Sequence, residues 1–456
     1  MKRILLLIVL LITTAQTIQS QTVVLDTNGV TVKWTGTTVP STYFVQANPR
    51  GTGMEWFAIV DNSNVGRLGS YAQGSQQSIT YFTPSGSSMP IPFNNIVTTL
   101  VTNMQYLFRH ISFNENISSW DVSNVTNMEQ MFSDANPFNQ NIGSWNVANV
   151  TNMYEMFLNN SSFNQNISTW NVSRVTDMSY MFLRASAFNQ PIGSWNVSNV
   201  TNMRYMFQQA TAFNQNIGSW NVANVTNMQF MFYQATAFNQ PIGSWNVSNV
   251  TTMQSMFENT ANFNQPIGSW NVGNVFDMQS MFKGATAFNQ PIGSWNVGNV
   301  LDMTMMFSYA QLSTANYDEL LIGWSTISPN ERPLNRNVRF TGGNSKYCNG
   351  ANARGAIIST YGWTITDGGL DCSSLETETF DTNSLKLYPN PVVNILNIKT
   401  DNQLINQPYT IIDGLGRVVL NGKLNEVEST INVEQLSKGI YYLKVASNNA
   451  SKFIKE

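Results

Sequence analysis

Side chains that can carry out acid–base or metal chemistry are few in this sequence. His110 is the only histidine among 456 residues, so a hydrolase triad would depend on it alone, and a metal site with two imidazoles is excluded. The closest carboxylate pairs are Asp318 with Glu319 and Glu129 with Asp134. Adjacent residues of a helix point apart, and a solvated surface accounts for these acids. The sequence therefore predicts no catalytic residue, no cofactor and no metal ligand.

The absence of known catalytic motifs and the low charge exclude further classes of function. The chain contains no G-x-S-x-G, G-x-x-x-x-G-K-[ST], H-E-x-x-H or G-x-G-x-x-G motif. Residues 61–66 are similar to a calcium loop but lack its acidic positions, so an ordinary turn is expected. Charged residues make up 11% of the chain, where about 25% is typical. A net charge of -3 offers no basic field for nucleic acid, which is not expected as a partner.

The N-terminus predicts export. Two basic residues precede the apolar stretch Ile4–Ile12, which gives way to small and polar residues. This arrangement is typical of a secretory signal peptide, which we assign to residues 1–20. The stretch is too short to span a bilayer and no later one is longer, so no transmembrane segment is expected. Because an exported chain meets an oxidising compartment, Cys348 and Cys372 are expected to form a disulfide.

Internal repetition organises the middle of the chain. Eight tryptophans stand 25 residues apart: Trp120, Trp145, Trp170, Trp195, Trp220, Trp245, Trp270 and Trp295. Each copy follows F-N-Q-x-I-x-x-W-x-V-x-x-V-x-x-M-x-x-M-F, and a defective copy begins at Val101. About eight buried side chains at roughly 1.5 to 3 kcal/mol each do not offset the entropy of ordering one copy, at about 1 to 2 kcal/mol per residue. The copies must therefore stack.

Two apolar periods inside each copy predict its secondary structure. Trp145 and Val147 alternate with polar residues, as in a short strand with one buried face. Met153, Met156 and Phe157 have the spacing of a helical turn. We therefore predict an α/β repeat solenoid with a strand and a short helix in each 25-residue coil. A β-rich N-terminal cap precedes it, and a C-terminal β-sandwich follows it.

The repeat unit resembles a known family. I-x-x-W-x-V followed by V-T-N-M-x-x-M-F is similar to the L-x-x-L-x-L frame of leucine-rich repeats. From about Val101 to Phe307, the 25-residue unit resembles the BspA-like leucine-rich-repeat surface proteins of bacteria. This resemblance implies a secreted or surface binding protein, of a kind often regarded as an adhesin.

The last segment resembles a second family. Short turn-separated strand patterns from residue 384 onward predict the β-sandwich. Four motifs in this segment resemble the type A C-terminal sorting domain of the type IX secretion system, and their residues are Tyr388, Pro389, Asn390, Pro391, Gly414, Gly416, Arg417, Gly439, Tyr441 and Lys452. The resemblance implies contact with the type IX machinery of a Gram-negative bacterium, removal of this domain, and release or outer-membrane surface attachment of the rest.

The predicted domain organisation has six parts. They are a signal peptide at 1–20, a β-rich cap at 21–100, the solenoid at 101–311, its C-terminal cap at 312–372, a linker at 373–383 and the sorting domain at 384–456. Together they predict a secreted or cell-surface, non-catalytic binding or adhesion protein with a protein or glycan ligand. The alternative is a secreted enzyme with its chemistry in a cap and the repeats as substrate-binding platform. A structural spacer without a ligand also fits the sequence.

Two sets of repeat residues are candidate ligand contacts. Aromatic residues occupy variable positions of the predicted helix, where they are expected to bind protein: Tyr154, Tyr180, Tyr205, Phe230 and Tyr233. The predicted strand presents a flat, uncharged face that is expected to be structural or to bind glycan. Its representatives are Asn196, Asn221 and Asn246.

The sorting motifs generate a test of export. Deletion of Asn390–Glu456 is expected to trap the protein in the periplasm, because the deleted residues carry most of the motif set. Immunoblots of periplasmic, outer-membrane and culture-medium fractions measure this distribution. Appearance outside the cell at the level of the full chain would contradict the sorting interpretation.

Overall fold

The computed structural model describes residues 22–326, 331–373, 385–400, 404–414, 416–445 and 451–456. The predicted signal peptide lies outside the described residues, as does all of the predicted linker except Ser373. The chain divides into two compact units, one ending at Asp371 and the other running from Cys372 to Glu456.

The described residues before the repeats form two small sheets and two short α-helices. In chain order these elements are β1 (Val23–Leu25), β2 (Val32–Trp34), β3 (Phe44–Ala47), β4 (Glu55–Asp61), α1 (Arg67–Ala72), α2 (Gln76–Tyr81) and β5 (Ile96–Leu100). β1 pairs antiparallel with β2, and β4 lies between antiparallel β3 and parallel β5. The N–H of Val32 donates to the carbonyl of Ser119 at 2.8 Å, so the first coil packs directly on these sheets.

Each repeat copy is a succession of tight turns. Between Val101 and Ala310, all of which the structure describes, there is no helix, and β-pairing is limited to isolated bridges. The N–H of Trp170 donates to the carbonyl of Ile167 at 3.1 Å, and the N–H of Met181 to that of Met178 at 3.2 Å. The two valines between these pairs close a further turn. Apolar residues three apart are thus the two ends of one turn, and both are buried.

The predicted strand and helix of each coil are therefore wrong, and the assignment to an α/β solenoid is wrong with them. Regular structure in the described residues is mostly β-strand in five small sheets, and the four α-helices lie outside the repeats. Tyr180 and Arg184 have φ of 60° and 57°, in the left-handed region that interrupts a right-handed helix. Equivalent left-handed residues recur in every copy. Apolar residues three positions apart occur in both a turn and a helix, so this spacing could not distinguish the two structures.

Backbone hydrogen bonds join each coil to the next. The N–H groups of Met178, Tyr180, Phe182 and Arg184 donate to carbonyls of the following coil at 2.7 to 3.2 Å, so alternate residues bond along the axis. One parallel bridge per coil marks a continuous ladder, whose rungs are Asn103, Asn127, Asn152, Asp177, Asn202, Asn227, Thr252, Asp277 and Asp302. We call residues 101–310 the repeat stack.

Tryptophan connects adjacent coils inside the repeat stack. The indole Nε1 of Trp220 donates to the carbonyl of Ile192 in the preceding coil at 3.0 Å. Every repeat tryptophan from Trp145 to Trp295 makes the equivalent bond and is at most 3% exposed. A buried indole needs a partner for its N–H, and here the neighbouring backbone supplies it. Each tryptophan therefore needs both its own coil and the one before it.

The C-terminal end of the stack is covered by two helices and a two-stranded sheet. In chain order they are α3 (Thr314–Ser325), β6 (Arg339–Thr341), α4 (Ala351–Tyr361) and β7 (Thr364–Thr366). Trp324 in α3 donates its Nε1 to the carbonyl of Ile292 at 3.3 Å, which is the bond that a further repeat tryptophan would make. Met303 of the last coil forms a parallel bridge with Phe340 of β6.

Two further contacts tie this C-terminal region together. The buried carboxylate of Asp318 accepts the backbone N–H groups of Cys348, Asn349 and Gly350 at 2.8 to 2.9 Å, directly before α4. Its partners give Asp318 a structural role at the start of that helix. Cys348 and Cys372 are disulfide-bonded, which confirms the predicted bridge.

The described residues of the unit from Cys372 onward form seven strands in two antiparallel sheets. In chain order they are β8 (Leu385–Tyr388), β9 (Ile395–Thr400), β10 (Pro408–Asp413), β11 (Val418–Lys423), β12 (Glu428–Asn432), β13 (Gly439–Val445) and β14 (Ser451–Lys455). The sheet orders are β12-β9-β8 and β11-β10-β13-β14. Buried side chains of both sheets, among them Ile398, Ile411 and Phe453, form one apolar cluster.

The tryptophan contacts predict a large local loss of stability. Trp220→Ala is expected to reduce the free energy of unfolding by about 3 to 5 kcal/mol, because it leaves a cavity and removes the hydrogen bond that joins two coils. Trp220→Phe, which keeps most of the ring but loses the hydrogen bond, is expected to cost less. Urea unfolding of the full chain measures both. A loss below about 1 kcal/mol for the alanine variant would contradict burial of this side chain.

Two neighbouring carboxylates on the bridge ladder predict a pH-dependent penalty. Burial, followed by the charge of Asp302 on the next rung, raises the pKa of Asp277. A raised pKa means that ionised Asp277 destabilises the fold, a penalty that grows as pH rises from the ordinary aspartate range to the raised value and is full above it. Asp277→Asn keeps the acceptor for the Gln279 N–H, as Asn227 does in its own coil. It is expected to raise the thermal unfolding midpoint near pH 7 but not near pH 3.

Asp177→Asn is the matched control for this substitution. Asp177 lies on the same ladder, but its neighbouring rungs are Asn152 and Asn202, so no like charge is adjacent. We expect a smaller increase of the midpoint for this variant. Equal increases in both variants, or an increase that persists at low pH, would contradict the charge explanation.

Candidate functional site

The five aromatic residues singled out in the sequence lie together on the repeat stack. Tyr180, Tyr205 and Phe230 occupy one position in three successive coils, with φ of 60°, 60° and 57°. Tyr154 and Tyr233 are at the two ends of this row and contact it from other positions of their coils. All five side chains are half-buried. We call these residues the aromatic cluster.

The rings of the aromatic cluster face one another. The centroids of Tyr180 and Tyr205 are 4.6 Å apart with planes at 13°, and those of Tyr205 and Phe230 are 4.6 Å apart at 6°. Tyr154 meets Tyr180 edge-on at 5.6 Å, and Tyr233 is 5.7 Å from Phe230. Each central ring face is therefore covered by a neighbour, and the surface left to a ligand consists of ring edges and hydroxyl groups.

Arg204 adds a cation to the aromatic cluster. Its guanidinium lies 4.7 Å from the ring centroid of Tyr205 and 5.9 Å from that of Tyr180, both within cation–π range. Within the described part of the chain, its buried Nε has no hydrogen-bond partner. Burial raises the pKa of Tyr180, while the Arg204 charge opposes that change. Burial, with a hydrogen bond to Glu155, raises the pKa of Tyr154 as well.

Sequence reasoning missed Arg204, although a signal was present. Arg204 is the only charged residue between Ile192 and Thr251, and it directly precedes a cluster tyrosine. A lone cation beside an aromatic position is the pattern that would have identified it. The structure thus extends the predicted set by one residue.

Amide side chains support the row beside the aromatic cluster. Arg184 donates its Nε to Oε1 of Gln209 at 2.7 Å, and Gln209 donates its Nε2 to Oε1 of Gln234 at 2.6 Å. These residues hold the second left-handed position of the same three coils that carry Tyr180, Tyr205 and Phe230. The side chains four residues after each ring are therefore hydrogen-bonded from coil to coil.

The predicted asparagine contacts have a different environment. Asn196, Asn221 and Asn246 are exposed, as expected, but the strand on which they were placed is absent. Each side-chain Oδ1 accepts the backbone N–H two residues later, at 3.1, 3.1 and 3.2 Å. Such bonds close local turns, so these oxygens are already used by the fold. Each Nδ2 group is what these residues offer to a ligand.

The acidic residues and the histidine considered for chemistry are dispersed. Nδ1 of His110 lies 3.2 Å from Oδ2 of Asp134 on the surface of the stack. Asp318 holds the start of α4, far along the chain from both. Among the residues that the structure describes, no group of three or more His, Cys, Asp or Glu could hold a metal ion.

The sorting motifs converge on the terminal strand of the second unit. Oδ1 of Asn390 accepts the N–H of Ile454 at 2.8 Å, and the N–H of Val392 donates to the carbonyl of Ile454 at 2.8 Å. The buried ring of Tyr441 stacks on Phe453 at 5.7 Å. The remaining motif residues are exposed or half-exposed: Tyr388, Pro389, Pro391, Gly414, Gly416, Arg417, Gly439 and Lys452. The first and last motifs are thus joined by the Asn390 side chain, and a backbone bond from Val392 follows directly after it.

The turn motif of the sorting segment is closed by an ion pair. Arg417 donates its Nε to Oδ2 of Asp413 at 2.8 Å, and its N–H to Oδ1 of the same residue at 3.0 Å. Gly416 between them has φ of 80°, which only glycine adopts without strain. This explains why a glycine directly precedes the arginine.

Comparison with known families identifies both parts of the chain. Residues 80–179, 159–260 and 241–326 match the family described as "Mycoplasma protein of unknown function, DUF285", which covers more than half of the chain. Residues 386–456 match the secretion system C-terminal sorting domain. Neither description names a leucine-rich repeat. No curated protein and no solved structure matches the chain. In the described residues, no helix is long and apolar enough to cross a membrane.

Proposed function

Because the chain belongs to the DUF285 repeat family and ends in a type IX secretion sorting domain, we propose that it is a non-catalytic adhesion protein that binds an extracellular protein through the aromatic cluster. The sorting domain implies secretion or display at the cell surface, and the chain is a surface-associated repeat protein with a secretion sorting tail. The repeat stack is then the part that meets the extracellular partner.

The covered ring faces support a protein ligand at this cluster. Sugars bind aromatic side chains by lying on a ring face, and Tyr180 and Tyr205 face each other at 4.6 Å. Ring edges and phenol hydroxyls remain accessible, and these suit the mixed apolar and polar contacts of a protein interface. Tyrosines whose rings are already packed also lose little side-chain entropy on binding.

Arg204 indicates what the partner should present. Its guanidinium lies 4.7 Å from the ring centroid of Tyr205 and 5.9 Å from that of Tyr180. A carboxylate of the partner would meet this half-buried positive charge. The proposed partner surface therefore combines an apolar or aromatic anchor with an acidic side chain.

Substitution of the aromatic row tests this proposal. Ser255 and Ser280 occupy the equivalent position of later coils, with φ of 51° and 57°, so serine is compatible with the backbone there. The triple variant Tyr180→Ser, Tyr205→Ser and Phe230→Ser is expected to weaken binding at least about tenfold. The full chain is passed over a panel of immobilised extracellular matrix proteins, and the dissociation constant is measured by surface plasmon resonance.

Phe276→Thr is the matched control. Phe276 is 46% exposed and lies outside the aromatic cluster, and threonine occupies its position in the six preceding coils. The control is expected to bind like the unchanged chain, and circular dichroism should show the same fold for all variants. The proposal fails if no matrix protein binds. It also fails if binding survives the triple variant but is lost when Asn196, Asn221 and Asn246 are changed to arginine.

A further inference from the structure

A shallow groove of about 590 Å³ crosses three successive coils of the repeat stack. Ser194, Ser219 and Ser244 line it, one from each coil, together with Asn216 and Pro241. Since equivalent residues of successive coils follow one another along the stack, the groove runs along its axis. None of these five residues belongs to the aromatic cluster, and all five are exposed.

The serine hydroxyls of the groove are oriented by the fold. Ser194 Oγ donates to the carbonyl of Ser168 at 3.0 Å, Ser219 Oγ to that of Gly193 at 2.8 Å, and Ser244 Oγ to that of Gly218 at 3.0 Å. Because each hydroxyl proton is engaged, each oxygen presents its lone pairs to the groove as an acceptor. The result is a row of three acceptors that repeats once per coil.

Asn216 and Pro241 complete the polar and apolar contacts of the groove. Asn216 Oδ1 accepts the N–H of Gly218 at 3.0 Å, so its Nδ2 group is the donor that it offers to a ligand. Pro241 adds an exposed apolar ring. A ligand in this groove must therefore carry hydroxyl groups that donate to serine, an oxygen that accepts from Asn216, and C–H groups for the proline ring.

Glycine makes this part of the stack possible. A Cβ at Gly193 would lie 2.3 Å from the carbonyl oxygen of Asn216, and one at Gly218 would lie 2.3 Å from that of Pro241. Glycine at these positions lets the backbones of adjacent coils approach, and it leaves the groove without side chains there. The groove is therefore a consequence of close coil packing.

Charge restricts the ligand further. Between Ile192 and Thr251 the only charged residue is Arg204, and it is engaged with the rings of the aromatic cluster. The groove thus offers no cation to an acidic glycan and no carboxylate to a basic one. We propose that it binds a neutral, linear polysaccharide that lies along the stack, with successive sugars meeting successive coils.

Neutral oligosaccharides test this site directly. The full chain is titrated by isothermal calorimetry with cellohexaose, laminarihexaose, xylohexaose and chitohexaose, and at least one is expected to bind. The triple variant Ser194→Ala, Ser219→Ala and Ser244→Ala is expected to weaken that binding at least tenfold, because it removes all three acceptors. Ser219→Arg, which fills the groove from an exposed position, is expected to abolish it.

A matched control separates binding from stability. Ser144, Ser269 and Ser294 make the same coil-to-coil hydrogen bond outside the groove. Their triple alanine variant should lose comparable stability in thermal unfolding but keep the affinity within twofold. Polygalacturonate, titrated in the same way, is the acidic comparison. The proposal is overturned if no neutral hexasaccharide binds, if only polygalacturonate binds, or if both triple variants weaken binding equally. The serine variant of the aromatic row should bind the hexasaccharide normally, so this site and the proposed protein site can fail independently.

Discussion

Hydrogen bonding between successive coils is the interaction on which the rest of the structure depends. Alternate N–H groups of the Met-x-x-Met-Phe segment donate to the next coil, and every repeat tryptophan from Trp145 to Trp295 donates to the coil before it. A buried coil without a neighbour would leave these groups unpaired, at a cost comparable to the loss of each bond. The left-handed residues, the glycines and the stacked rings all follow from this requirement, because each allows one coil to lie close to the next.

Much of the fold could be predicted from periodicity, but its local conformation could not. The eight tryptophans at intervals of 25 residues require a repeating unit, and the apolar content of one copy requires stacking. The error concerned what lies between Met178 and Phe182. Residues three apart are neighbours on a helix and also the two ends of a turn. The deciding feature was the positive φ of Tyr180, which side-chain type does not reveal because tyrosine rarely adopts it.

The sequence predicted which residues form the candidate site, but it did not predict how their side chains are arranged. The variable aromatic positions could be read from the sequence, and the structure brings all five together. Their mutual stacking could not be read, since Tyr180 and Tyr205 were placed on a helix that does not exist, and it is this stacking that removes ring faces from contact. The groove beside Ser219 was also hidden. The groove depends on how closely adjacent coils approach at glycine, and the sequence pattern does not show that distance.

The bond between Trp324 and Ile292 has a consequence for how such a gene can change. Helix α3 takes the place of one more coil and bonds to the last copy, so the packing at this end does not depend on the number of copies before it. Residues 187–201 and 237–251 are identical, and unequal recombination between such segments removes or inserts whole coils. The backbone hydrogen bonds at each new junction would be of the kind already present between neighbouring coils. The length of the repeat stack is therefore free to change by whole coils while the contacts between neighbouring coils stay the same.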